Sequence, residues 1–372
     1  MKLLIEKNVL MEGLISVSRA LSTRNIIPIL NGIKFELTKK GLLLTATDND
    51  ITIESFIDKK NIKNIEEIGT SIVYGKSLLD IIRRLPDNEI QIENFENNEI
   101  SFRTTTSNYN FNCFLTEDFP NISLEEISNP IILSSQIFKE MIQKTSFACS
   151  LQESRPLLTG VNIKIQGDLL ECTATDSYRL SKISASLNKM YNENINIVIP
   201  ARNINELIKL IDDDDPIELH IFSNKILFKY KDLIFQSSLL NGNYPNTNNS
   251  IAKEFKYILK ADLKELYNTL ERAALLTQSK DKNIIDVEID NDNFIIRAAS
   301  VEMGKVEEKL TVENETSNKL RISFSAKYML EALKMFNSEK IYILLNGEIS
   351  PIILKEVDNE QFIQLILPMK TY

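Results

Sequence analysis

LLLTATDND (residues 42–50) and LLECTATDSYRL (residues 169–180) are one phrase written twice. The two Thr-Ala-Thr-Asp tetrads lie 128 residues apart, and Pro28 with Pro156 and Gly32 with Gly160 keep that offset. Extended outward, PILNGIKFELTKKGLLLTATDNDITIES and PLLTGVNIKIQGDLLECTATDSYRLSKIS align without a gap. A third, fainter copy, IIDVEIDNDNFIIRAASVEMGKVEEKL (284–310), puts Ala299-Ser300 where the others have Thr-Asp. The chain therefore reads as three repeats of one small domain.

Each third is expected to open with an amphipathic helix, at residues 8–21, 135–150 and 261–276. The apolar side chains there recur at i, i+3 or i+4, and i+7, and Ser135 and Asp262 stand as candidate caps. Strands with period-2 alternation follow, then a second helix at 76–85, 201–211 and 325–336, then more strands. Each third closes on an apolar residue before proline: Phe119-Pro120, Tyr244-Pro245 and Leu367-Pro368. The expectation is an α+β fold of six helices and about two dozen strands, with helices packed on one face of antiparallel sheets. Domain boundaries fall at 1–128, 129–251 and 252–372, the second within the polar run NGNYPNTNNS.

Composition excludes several classes. Apolar residues make up 43% and charged residues 26%, typical of soluble globular chains. MKLLIEKNVL is not a signal peptide, and no stretch approaches the roughly 18 apolar residues of a membrane span. A cytoplasmic protein with no membrane partner is expected. Cys113, Cys149 and Cys172 lack metal-ligand spacing and read as buried free thiols in a reducing compartment. His220, the single histidine, reads as a sheet residue, so no metal site is expected. Ten glycines, without a phosphate-cradling loop or a nucleophile elbow, leave no cofactor signal. Asp48 and Asp176 are the only repeated carboxylates, expected to organise a turn rather than to catalyse.

The net charge of −9 argues against a strong grip on phosphates, but its distribution is uneven. Within the six expected helices twelve basic residues stand against eight acidic ones. A basic pair at spacing seven recurs in every second helix: Lys76/Arg83, Arg202/Lys209 and Lys327/Lys334. Two turns bring each pair to one face, and three such faces suggest a shared cationic surface that holds a phosphate backbone without reading bases.

Over its whole length the sequence resembles the bacterial sliding-clamp family, the processivity subunits of replicative DNA polymerases. The resemblance rests on IPILNG (27–32) after Arg24, the paired TATD phrases, ATDSYRL (174–180), DFPN (118–121), NGNYPN (241–246) and the terminal LPMKTY. It implies a three-domain protomer, without catalytic activity, that dimerises head to tail into a ring around duplex DNA. Twelve helices about 8–10 Å apart close a circumference of roughly 100–120 Å, which leaves an opening of at least about 20 Å inside the side chains. Implied partners are duplex DNA without sequence specificity, the replicative polymerase, an ATP-driven clamp loader and other proteins that carry a clamp-binding motif.

The resemblance also implies site residues. A partner-peptide cleft would draw on Arg155, Leu158, Thr175, Ser177, Tyr178, Arg179, Leu180, Pro245, Ser325, Tyr328, Pro351, Ile366, Leu367, Pro368 and Met369. DNA would meet Arg24 and Gln152, backed by Lys76, Arg83, Arg84, Lys144, Arg202, Lys209, Lys327 and Lys334. The dimer seam would bring Tyr109 and Phe111 to Leu275 and Leu276, with Arg103 facing Glu302, Glu307 and Glu308. Two departures stand out. Asn249-Ser250 replaces an Arg and an aliphatic residue at the cleft rim, and Pro156-Leu157 replaces an aromatic that relatives can stack on DNA. An enzyme acting on nucleotides or sugars, or a repeat scaffold without DNA, remain the rival classes.

Overall fold

A computed structural model of the chain describes residues 1–21, 27–95, 97–212, 215–277, 283–300, 303–316 and 319–370. Each third holds two helices: α1 (Lys7–Ser18) and α2 (Gly75–Arg84), α3 (Ser135–Ser146) and α4 (Ala201–Leu207), α5 (Leu263–Ala274) and α6 (Ala326–Leu333). Most are shorter than their periodicity suggested. After α4, Ile208 and Ile211 stay buried, so the apolar spacing outlasts the helical backbone.

The sequence placed a helix at the head of each third; a strand precedes it every time. Lys2–Glu6, Ile131–Ser134 and Tyr257–Asp262 run directly into α1, α3 and α5. At four to six residues these strands merge with the apolar pattern of the helix that follows. Asp262 caps α5, its carboxylate accepting the Glu265 N–H at 2.8 Å. The other expected cap is corrected: Ser135 lies inside α3 and donates to the Asp215 carbonyl. Ser134 Oγ instead accepts the Ile137 N–H, at 3.5 Å.

The chain forms two compact units, Met1–Lys139 with Arg202–Leu239, and Glu140–Ala201 with Leu240–Tyr372. The units do not follow the repeats, because strands pair across repeat seams. In the first unit a thirteen-stranded antiparallel sheet joins Ile51–Asp58 of the first repeat to Leu233–Ser238 of the second. In the second unit, Arg179–Pro200 of the second repeat pairs with Phe362–Ile366 of the third inside a seven-stranded sheet. A separate four-stranded sheet carries the third repeat's Ile284–Asp290, Asn293–Ser300, Gly304–Thr311 and Leu320–Ser325.

Helices cover one sheet face. α1 packs against Gly41–Thr47, Ile51–Asp58 and α2, burying Leu10, Met11, Leu14 and Val17, the i, i+4, i+7 stripe read from the sequence. Gly13 lets that helix approach closely, since a Cβ there would sit 2.8 Å from Leu44 Cδ1. In the second unit α5 packs likewise on Asn293–Ser300 and Gly304–Thr311 and against α6. Among the described residues no helix is long and apolar enough to cross a membrane.

Candidate functional site

The repeated TATD phrase is a hydrogen-bonded turn built twice from the same atoms. Asp48 Oδ1 accepts the N–H groups of Asp50 and Ile51, and Asp176 Oδ1 accepts those of Tyr178 and Arg179. The threonine before each aspartate accepts the N–H two residues on and donates to the carbonyl four residues on. Asn49 (φ 77°) and Ser177 (φ 78°) take the left-handed backbone this turn requires. The remaining oxygens face arginines: Asp48 Oδ2 meets Arg202 at 2.9 Å and Asp176 Oδ2 meets Arg179 Nε at 3.1 Å. Both carboxylates therefore organise turns, as the sequence suggested. The third copy keeps a weak remnant, Ser300 Oγ accepting the Met303 N–H at 3.4 Å.

In the second repeat this turn forms one wall of a cleft. Tyr244 of the NYPN motif braces it from behind, its hydroxyl accepting the Thr175 N–H at 3.0 Å. Arg155 holds the front through Ser177 Oγ at 3.0 Å, and Tyr178 stands 57% exposed at the tip. The C-terminal segment is tied beside it, Leu367 N–H to the Tyr178 carbonyl (2.8 Å) and Met369 N–H to the Ser323 carbonyl (2.7 Å). Between these parts lies a cavity of about 600 Å³ lined by Tyr178, Ser325, Tyr328, Leu367, Pro368 and Met369. Asn283, Ile284, Lys327 and Lys370 complete the lining and were missing from the expected cleft. Burial first, and then the Asp176 charge, push the Tyr328 phenol above its usual range, so it stays protonated and can donate.

Several expected cleft residues sit behind this wall instead. Leu158 packs with Val198 and Tyr244, Leu180 with Leu344, Ile353 and Leu365, and Ile366 is 1% exposed; all three are core. Pro351 is half-buried and Pro245 exposed, neither lining the cavity. Arg179, expected to offer donors to a peptide, is 9% exposed and fully engaged. It pairs with Asp176 and Glu331, donates Nη2 to the Phe147 carbonyl at 2.7 Å, and lies between two rings. Its Cζ is 5.2 Å from the Phe147 ring centre and 4.7 Å from that of Tyr328. Arg179 is thus the keystone of the wall, fixing Tyr328 in place.

The basic residues divide by environment. Lys76, Arg83 and Arg84 are exposed on α2, Arg84 beside Asp80. Arg202 and Lys209 are exposed on and just beyond α4 but pair with Asp48 and Glu206, and Arg19 also reaches Glu206 at 3.0 Å. Lys334 lies over the Tyr267 ring, 5.7 Å from its centre. Gln152 sits in an exposed loop beside Leu151, which is 95% exposed. Lys144 is corrected: it is 6% exposed, paired with Glu140 at 2.8 Å and set over the Phe362 ring, so it presents no charge to a ligand. Lys327 shares a helix face with Lys334, but seven residues at about 1.5 Å each put it at the other end of α6, in the cleft. Arg24 and Glu302 lie outside the described residues.

Among the open strand edges of the described residues, two bear on the expected dimer seam. Gly304–Thr311 pairs only with Asn293–Ser300 and ends its sheet. Asn108–Phe114 pairs along Glu99–Arg103, but on its other side only Cys113 and Phe114 find partners. Exposed Tyr109 and Arg103 flank that edge, and half-buried Phe111 packs edge-on against Phe102. Leu275, 57% exposed, and half-buried Leu276 follow α5. Glu307 and Glu308 already have partners in the chain, Arg297 and Arg272.

Elsewhere, Glu126, Glu218 and His220 gather at metal-ligand distances. The chemistry does not suit an ion. His220 Nδ1 accepts the Ile127 N–H at 3.0 Å, so the neutral ring keeps its proton on Nε2, and Lys229 takes both oxygens of Glu126 at 2.8 Å. The thiols are inert. Burial pushes Cys149 up to about 12, half-buried Cys113 up to about 11, and Cys172 higher still.

Comparison with known proteins agrees with this layout. The sequence matches three family descriptions of the DNA polymerase III beta subunit: the N-terminal domain over residues 1–123, the central domain over 132–246 and the C-terminal domain over 249–370. The beta sliding clamp of Halalkalibacterium halodurans is 35% identical over 381 residues, all of both chains. The solved DNA polymerase sliding clamp of Bacillus subtilis superposes with TM-score 0.97 at 35% identity, covering 100% of each chain. A DNA polymerase III beta chain from Streptococcus pneumoniae gives TM-score 0.96 at 32% identity over the same coverage. With such likeness running through all three repeats, the chain belongs to the β sliding clamp family, the beta subunits of DNA polymerase III.

Proposed function

We propose that two copies of the chain close head to tail into a ring that encircles duplex DNA, without reading its sequence, and tethers the replicative polymerase to it. The observation that carries this reading is the pair of open edges. Gly304–Thr311 follows the third copy of the TATD turn as Ile51–Asp58 and Arg179–Pro200 follow the first two, and each of those strands is paired across a repeat seam. Asn108–Phe114 closes the first repeat's strands as Leu233–Ser238 and Phe362–Ile366 close the others. We infer that the remaining pair meets across two copies, as an antiparallel seam flanked by Arg103, Tyr109, Phe111, Leu275, Leu276 and Glu302, which also covers edges that would otherwise invite aggregation.

In this reading the repeats are domains 1–128, 129–251 and 252–372, and the protein acts in the cytoplasm without catalysis of its own. Arg24, Lys76, Arg83, Arg84, Gln152, Arg202, Lys209 and Lys334 face the DNA. Exposed ion pairs such as Arg84 with Asp80 are worth about 0–1 kcal/mol, so phosphates can exchange with the carboxylates and the ring slides rather than grips. The cleft takes an extended segment of the polymerase, the clamp loader or another client, apolar side chains entering between Tyr178, Tyr328, Leu367 and Met369. Sedimentation velocity of the full chain tests the ring: a stable dimer at micromolar concentration is expected, and a monomer there removes it.

A further inference from the structure

We propose that the third repeat holds a binding pocket for a free aliphatic amine, whose ammonium takes the place that a lysine side chain fills in the first two repeats. The pocket lies between α5 and α6 and is independent of both the ring and the cleft.

In each repeat a buried apolar residue stands ten positions after the start of the second helix: Leu85 after Gly75, Ile211 after Ala201 and Phe336 after Ala326. In the first two repeats a lysine closes the main-chain carbonyl of that residue. Lys7, which opens α1, donates Nζ to the Leu85 carbonyl at 2.5 Å, and Lys139 of α3 donates to that of Ile211 at 3.3 Å. The third repeat has no such amine. At the 128-residue offset, Ser135 and Leu263 stand where Lys7 does, and Tyr267 stands where Lys139 does. The backbone has not shifted to compensate: the Leu263 N–H reaches the Glu339 carbonyl at 2.9 Å, as the Lys7 N–H reaches that of Asn88 at 2.8 Å. Among the described residues no hydrogen bond reaches the Phe336 carbonyl, and residues 254–277 and 319–345 around it are all described.

Leu263, Tyr267 and Phe336, the counterparts of the two lysines and of their acceptors, all line one cavity of about 620 Å³. That volume is in the range of small-ligand sites. Leu333 completes an apolar wall suited to a chain of methylenes. The carboxylates of Asp262 and Glu339 and the ammonium groups of Lys264 and Lys334 balance each other in the lining, and Lys334 lies over the Tyr267 ring instead of on the carbonyl. Two features then favour a cation within: the carbonyls that end α6, which form the negative pole of the helix, and the ring face of Tyr267.

Ligand-observed NMR titration of the full-length protein tests the pocket, with n-pentylamine as the probe and n-pentanol as its uncharged analogue. The amine should bind with a dissociation constant on the order of 1 mM, and the alcohol at least about tenfold more weakly. Leu263→Lys and Tyr267→Lys, which copy the first and second repeats, should each weaken the amine at least about tenfold and melt no lower than the parent. Asn268→Lys adds the same charge to α5 outside the cavity lining and should leave the affinity within about threefold. Nα-acetyl-lysine methylamide, standing for a lysine of a partner protein, should bind more weakly than the free amine. Equal binding of alcohol and amine, amine binding that survives both cavity variants, or equal weakening by Asn268→Lys overturns the ammonium site. Tighter binding of the lysine amide overturns a free amine as the occupant.

Discussion

Replacing Arg179 by methionine should loosen the cleft wall without unfolding the protein, and the size of the effect follows from its contacts. Methionine fills similar volume but removes two ion pairs, the bond to the Phe147 carbonyl and the stacking on Phe147 and Tyr328. Removing one partner of a buried ion pair costs about 3–5 kcal/mol. Glu331, 35% exposed, can turn to water, whereas Asp176, at 12%, cannot. The lower end, about 3 kcal/mol, is therefore expected, or roughly a 150-fold rise in local opening. Native-state amide exchange reads this directly. The amides of Arg179, Leu367 and Met369 should exchange faster by about that factor, while those of the first unit's central strands keep their rates. A double-mutant cycle of Arg179→Met with Glu331→Gln should give a coupling of about 1–3 kcal/mol. Exchange at Leu367 and Met369 within threefold of the parent, or a coupling near zero, would refute the keystone role.

Asp48→Ala removes the acceptor for two main-chain N–H groups and strands Arg202, and should lower unfolding stability by about 2–4 kcal/mol in denaturant titration; Asp48→Asn, which keeps one oxygen, should lose less. Gly41→Ala would set a Cβ 2.1 Å from the Ile57 carbonyl oxygen, so a loss of at least about 2 kcal/mol is expected on the same assay, and a neutral result would contradict the register there. The thiols should be nearly silent to a disulfide reagent at pH 8: Cys113, at about 11 against an ordinary 9.0, should react roughly a hundredfold more slowly than a free thiol, and Cys149 only on unfolding. Because folding raises these thiol pKa values, the folded state holds the extra proton. Their contribution is complete below 9.0 and fades as pH climbs through about 11 and 12, so stability should fall in that alkaline window. Leu275→Lys with Tyr109→Lys should weaken the dimer at least tenfold in sedimentation equilibrium while leaving the circular dichroism spectrum unchanged.

The repeat made the architecture legible, because Pro28, Gly32 and Asp48 each mark a place where the backbone must turn, and Pro156, Gly160 and Asp176 mark it again. The strands heading α1, α3 and α5 were not legible, since a run such as KLLIE is too short for its alternation to separate from the helix it enters. The cleft was partly so. Tyr178 and the C-terminal Leu-Pro-Met, named through the family pattern, line the cavity, but spacing alone could not tell Leu158 and Leu180 from core, and both are core. Lys144 failed as an exposed cation, whereas the place of Lys327 in the cavity lining was not foreseen. Periodicity assigns a helix face but not what covers it, and Lys144 lies beneath Phe362. Lys327 stands in the first turn of α6 and Lys334 at its C-cap, so a shared face still leaves them at opposite ends of the helix. The signal that could have found it is its place two residues after the Ser325 cap.

Enclosure of the double helix is the claim on which the remainder depends, and topology tests it better than affinity does. The protein, labelled and loaded on nicked circular DNA by its cognate loader, should stay bound through gel filtration in high salt. Cutting the circle at one site should release it within the time needed to slide off the ends. Retention on the linear DNA equal to that on the circle would contradict the account.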